Sequence, residues 1–221
     1  MKFRHELKYA VHIADYYLLR NRIKFLMQAD PNAGENGTYI IRSLYFDNPE
    51  DKALREKLDG VSKREKFRIR MYNGDEGFIR LEKKSKQNGL NSKESDIITK
   101  AEALAIISLD FPQIRLIQKP LAAELYRKMQ TEGLRAKTIV EYTREAYVYN
   151  AGNVRVTFDS DIKTGIFSTD FFGNPPLVKS VDTALLEVKY DEFIPEAVAQ
   201  LLQLNLRAGA FSKYAACRIY G

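Results

Sequence analysis

Lys66-Phe67-Arg68-Ile69-Arg70-Met71-Tyr72 puts a cation on alternate residues up to Arg70 and apolar side chains between them. Side chains of a strand alternate between its two faces. Lys66, Arg68 and Arg70 therefore share one face, and Phe67, Ile69 and Met71 the other. Outward along the chain the alternation recurs with acid and base mixed: Glu6 and Lys8; Arg80, Glu82 and Lys84; Tyr142 and Arg144; Arg155, Thr157 and Asp159; Glu187 and Lys189. Pooled in one sheet, these faces make a surface rich in cations with a few carboxylates, which suits a polyphosphate-like anion and its metal ion.

The 221 residues are enough to bury a core, and one domain over residues 1–221 is expected. A formal net charge of +6 fits an anionic partner. Acids interleaved among the cations would repel a duplex backbone, so no nucleic acid is expected. Cys217 is the single cysteine, which rules out an intramolecular disulfide and fits a reducing compartment. Met1-Lys2-Phe3-Arg4-His5-Glu6 does not read as a signal peptide, and no apolar run approaches the roughly 20 residues of a membrane span. The expected location is cytoplasmic, with no membrane segment.

Strands are expected at residues 3–9, Thr38–Phe46, Lys66–Tyr72, Gly77–Lys84, Ala136–Tyr142 continuing toward Val148, Val154–Asp159 and Leu185–Tyr190. Asn73-Gly74-Asp75-Glu76 reads as a hairpin turn. Helices are expected over Asp15–Met27, from an Asn48 cap to Leu58 with a stop at Gly60, from a Thr99 capping box to Ser108, from Pro120 to Thr131 with an end near Gly133, and over Ile194–Leu204. Lys86–Ser92 reads as a polar, mobile stretch, and Ala210–Tyr220 as an ordered segment. Tyr16, Tyr17 and Phe25 read as helix core. His5, His12 and Cys217 lack the spacing of a metal site or nucleophile.

This order is α+β, a mostly antiparallel sheet with helices packed outside. If the sheet closes into a barrel of about eight strands, the helix-covered apolar face lies outside and the charged face inside. Charge held there needs compensation by water, paired carboxylates or a bound polyanion. Arginine grips phosphate through two parallel bonds. Cations on alternate residues stand about 7 Å apart, a workable pitch for successive phosphoryl groups. Carboxylates on the same face suit Mg²⁺ or Mn²⁺.

The order of Arg4-His5-Glu6-Leu7-Lys8-Tyr9, Ser43-Leu44-Tyr45-Phe46-Asp47, Lys66-Phe67-Arg68-Ile69-Arg70, Leu81-Glu82-Lys83-Lys84, Val140-Glu141-Tyr142-Thr143-Arg144, Val154-Arg155-Val156-Thr157-Phe158-Asp159, Leu186-Glu187-Val188-Lys189 and Phe211-Ser212-Lys213-Tyr214 resembles the VTC domain over nearly the whole chain. That domain is the polyphosphate polymerase of the vacuolar transporter chaperone complex and one of the triphosphate tunnel metalloenzymes, related to CYTH proteins. The resemblance implies a closed eight-stranded antiparallel tunnel with helices outside. It implies Arg68, Arg70, Lys8, Lys84, Arg144, Arg155, Lys189 and Lys213 as phosphate ligands, with Tyr142 and Ser212 as hydrogen-bond donors. Glu187 is the implied main metal ligand, with Glu6, Glu82 and Asp159 as second candidates for the Mn²⁺ or Mg²⁺. Lys93-Glu94 resembles another lysine motif of the family, although Ser95 stands where an arginine is often found.

The implied substrates are ATP or another triphosphate, and polyphosphate. The expected activity is transfer of a terminal phosphate to a growing polyphosphate chain. A tunnel-fold triphosphatase and a non-catalytic polyphosphate-binding module are the rivals. A terminal phosphate attacks without a dedicated base and water does not; no residue of the sequence stands out as that base. Arg68→Ala is expected to cut turnover far more than folding.

Overall fold

The computed structural model describes residues 5–34, 36–87, 90–202, 209 and 211–219. The expected positions Phe3, Arg4, Glu35, Asn88, Gly89, Leu204, Ala210 and Tyr220 lie outside the described residues. The strands are β1 (His5–Val11), β2 (Gln28–Ala29), β3 (Thr38–Asp47), β4 (Lys63–Tyr72), β5 (Ile79–Gln87), β6 (Leu90–Ile98), β7 (Arg135–Tyr149), β8 (Val154–Thr164), β9 (Val178–Lys179) and β10 (Ala184–Tyr190). The helices are α1 (Ile13–Lys24), α2 (Lys52–Leu58), α3 (Lys100–Ser108), α4 (Phe111–Arg115), α5 (Pro120–Glu132), α6 (Glu196–Leu201) and α7 (Lys213–Ile219).

All strand pairs are antiparallel, in the order β1-β10-β8-β7-β3-β4-β5-β6, with β2 on β7 and β9 on β8. The expectation of a closed barrel is corrected: β1 and β6 end the sheet and do not pair with each other. Side-chain alternation specifies which face is buried; it does not specify that the two end strands meet. On the β1 edge the carbonyl of Lys8 accepts a hydrogen bond from the Gly209 N–H instead (2.8 Å). The result is a strongly curled, open half-barrel.

The outer face is apolar. Under α3, α4 and α5 it carries Leu44, Phe46, Phe67, Ile69, Met71, Ile79 and Leu81, all buried. Under α1 and α6 it carries Val154, Val156, Phe158, Leu186 and Val188. Lys83 interrupts the first patch and is drawn outward to Glu124 of α5 (2.8 Å). A third cluster lies inside the curl, where Tyr214 and Cys217 of α7 pack on Ile41, Tyr45, Val140, Tyr142 and Leu185.

The hairpin at 73–76, the Thr99–Glu102 capping box and the stops at Gly60 and Gly133 are present; both glycines adopt a left-handed backbone (φ 70°). α2 begins three residues later than Pro49 predicts, because Asp47 accepts the N–H groups of Ala53 (2.8 Å) and Leu54 (3.2 Å). α1 ends at Lys24, so Phe25 falls past the last turn and is 90% exposed; Tyr17 is also exposed, and only Tyr16 joins the core. The 86–92 stretch belongs to the β5–β6 hairpin at its described residues.

Candidate anion-binding site

The curl encloses a cavity of about 790 Å³. Among the described residues eleven lysines and arginines line it against three carboxylates, Asp30, Asp75 and Glu187. Lys8, Arg68, Arg70, Lys84, Tyr142, Arg144, Arg155, Glu187, Lys189, Ser212 and Lys213 all reach it. Glu6, Glu82 and Asp159 stand behind this lining as partners of its cations.

One wall comes from β3 to β6. Arg68 spans two partners: its Nη2 lies 2.5 Å from Glu82, and its Nη1 donates to the Tyr45 hydroxyl (2.9 Å). Arg70 donates to Ser43 Oγ (3.0 Å) and the Tyr142 hydroxyl (3.1 Å). Lys93 also pairs with Glu82. Burial would raise the Glu82 carboxyl, but Arg68, Arg70 and Lys93 hold it far below the usual carboxylate range. Burial would likewise raise the Tyr45 phenol, yet Arg68, Lys66 and Arg70 bring it down to about 8. Lys66 is pushed down to about 8, mainly by burial. Lys84 falls well below its ordinary value, through burial and then Arg68 and Lys189. Neither Lys66 nor Lys84 has a carboxylate within ion-pair distance among the described residues.

The facing wall comes from β7, β8, β10 and β1. Arg144 forks onto Asp159 (2.5 and 2.7 Å), and Lys213 of α7 pairs with the same carboxylate. Lys8 and Lys189 each stand 3.3 Å from Glu6 and 3.4 Å from Glu187. Burial opposes the ionised form of Glu187, but Lys189, Lys213, Lys8 and Arg144 hold it well below its ordinary value. At the mouth, Arg155 pairs with Asp30 and donates to the Tyr39 hydroxyl (3.0 Å).

Hard divalent cations use one or two carboxylates and complete their shell with water and phosphate oxygens. Glu187 and Glu6 fit that requirement. They face each other across two lysines, and Glu6 Oε1 is buried without a hydrogen bond. Glu82 and Asp159 are instead closely paired, each with an arginine nitrogen at 2.5 Å, whereas the cations around Glu6 and Glu187 stand 3.3 to 3.7 Å away. No group of three or more His, Cys, Asp and Glu gathers among the described residues.

The lining also takes in Lys66 and Arg80, which alternation puts on the charged face, and Tyr39, Tyr45 and Asp30, which the pattern of charges does not single out. Alternation held the signal for Tyr45, which is in register with Arg68. Lys93 sits on β6, whose polar composition hides a strand. His5 lies outside, stacked on Tyr190 (5.0 Å), and the buried Cys217 thiol is pushed up to about 11 by its surroundings.

The sequence model described as the VTC domain matches residues 3–219. This chain belongs to the VTC domain family. No curated protein matches this VTC domain. Solved structures similar to it include a "putative adenylate cyclase" from Bacillus halodurans, 14% identical, with a TM-score of 0.49 over 85% of this chain and 80% of that one. Another, given the same description, comes from Vibrio parahaemolyticus: 14% identical, TM-score 0.46, over 90% of this chain and 82% of that one. No helix of the VTC domain, among the described residues, is long and apolar enough to cross a membrane.

Proposed function

We propose that this VTC domain is a metal-dependent phosphotransferase that moves the terminal phosphate of ATP or another nucleoside triphosphate onto a polyphosphate chain. The observation that supports this reading is the cavity within the curl, whose lysines and arginines far outnumber its carboxylates. Donor and acceptor are both polyanions, so their repulsion has to be screened before they can align. In this reading Arg68, Arg70, Arg144 and Arg155 hold the triphosphate. Lys8 and Lys213 neutralise oxygens beside the transferring group, Lys84 and Lys189 the rest of the chain, and Tyr142 and Ser212 donate hydrogen bonds. Glu82 and Asp159 serve as fixed counter-ions that orient the arginines. Glu187, assisted by Glu6, would hold Mn²⁺ or Mg²⁺, which supplies Lewis-acid stabilisation of phosphate oxygens.

Tyr45 favours a second reading, a triphosphatase. Its hydroxyl accepts from Arg68 inside the cavity, and with a phenol near 8 it can take the proton of an attacking water. Incubation with ATP and Mn²⁺ separates the readings. Chains that lengthen on a gel support transfer, phosphate release without chains supports hydrolysis, and tight polyphosphate binding without turnover leaves a binding module.

A further inference from the structure

A second cavity of about 600 Å³ adjoins the first, and Lys66 lines both. One wall of it holds the carboxylates Asp47, Glu56, Glu65 and Glu132, and is partly paired: Lys52 and Lys128 meet Glu132, and Lys128 also meets Glu65. The other wall continues the charged face of β4 and β5. In their register Arg70 lies opposite Arg80, Arg68 opposite Glu82, Lys66 opposite Lys84, and Arg64 opposite Lys86, so only the Arg68 rung is charge-matched. Rungs two residues apart are spaced about 7 Å along the strands. Like charges directly opposite across a ladder destabilise it. An anion lying along the rungs removes that cost. The Arg64–Lys86 rung stands in the second cavity, outside the first. Among the described residues Lys86 has no acidic partner and Arg64 donates only to the carbonyl of Val61 (2.6 Å). Burial, then Arg64, Lys8 and Lys86, lower the ammonium of Lys57 on α2, which adds to the positive charge around this rung.

Building on the phosphotransferase reading, we propose that the second cavity is an extension subsite for the anionic chain. A polyphosphate longer than the first cavity accommodates passes Lys66 and is held by the Arg64–Lys86 rung. The subsite thus distinguishes long chains from a triphosphate by affinity alone.

The test is calorimetric titration of inorganic triphosphate and of a long-chain polyphosphate into the full chain and into Arg64→Ala/Lys86→Ala. The expected result is a triphosphate Kd unchanged within about twofold and a long-chain Kd raised about tenfold, the scale of two exposed charge contacts. Thermal melting is expected not to fall, because the substitutions remove a repulsion. Lys86→Gln, a milder change, is expected to weaken long-chain binding by a smaller factor. Equal weakening for both anions would place the rung in the first cavity and overturn the extension. Unchanged long-chain affinity would overturn it as well. Wild-type protein that binds neither anion would overturn the reading of the first cavity itself.

Discussion

Arg68 both lines the cavity and holds a buried carboxylate in place. Its guanidinium is the main partner of a Glu82 carboxylate with no exposed surface. The expectation that Arg68→Ala spares the fold is therefore revised. Removing one partner of a buried pair costs about 3 kcal/mol or more. Turnover should also fall by about 100-fold, as when a preorganised donor is lost. Urea denaturation checks the first figure, and Arg68→Ala/Glu82→Leu should recover part of the lost stability. Lys66 and Tyr45 set a pH dependence. Both titrate near 8, and raising the pH through that value removes a positive charge from Lys66 and adds a negative one at Tyr45. Triphosphate should bind more weakly at pH 9 than at pH 7; calorimetry showing equal affinity would contradict the placement of both groups against the anion. Glu187→Gln should abolish metal-dependent turnover while triphosphate still binds, since it removes a negative charge from a basic cavity.

At the scale of elements, the strands were legible wherever apolar and charged residues alternate, as in β4, β5, β7, β8 and β10. β6 was not, because Asn91-Ser92-Lys93-Glu94-Ser95 has one wall of the cavity on one side and solvent or Lys83 on the other. Neither environment demands apolar residues. Helix ends were readable where the signal is local, as at Thr99 and Gly133. The start of α2 was not, because Asp47 reaches it from the preceding strand and at the same time accepts from the Tyr214 hydroxyl (2.6 Å). That carboxylate ties three elements together. Tyr214→Phe should cost about 1.5–3 kcal/mol, the range for hydrogen bonds to charged groups. It should also speed amide hydrogen exchange in α7, measurable by mass spectrometry, and reduce turnover through the displacement of Lys213 and Ser212. Normal exchange in α7 would show that the apolar packing on Tyr45 suffices.

For the whole molecule, the sequence specified which side of the sheet is greasy but could not specify closure, since that depends on whether two end strands far apart in the chain come to lie side by side. Four carboxylates, Glu6, Glu82, Asp159 and Glu187, are held below their ordinary values by the cations around them. Depressed carboxylates contribute stability that is complete above their unfolded values, near 4.5 for Glu and 3.8 for Asp, and is lost as the pH falls below them. Melting temperature should therefore hold steady from pH 7 to 5 and drop steeply below about 4.5, with added triphosphate raising it most where the lysines are still charged. Phe211, Ser212 and Lys213, at the start of α7 and just before it, line the cavity together with strands that come earlier in the chain. During synthesis the basic walls therefore emerge before the lysine and serine that complete them. A nascent chain at that stage displays a basic trough still lacking Ser212 and Lys213, so the lining is complete only after the segment leading into α7 has docked.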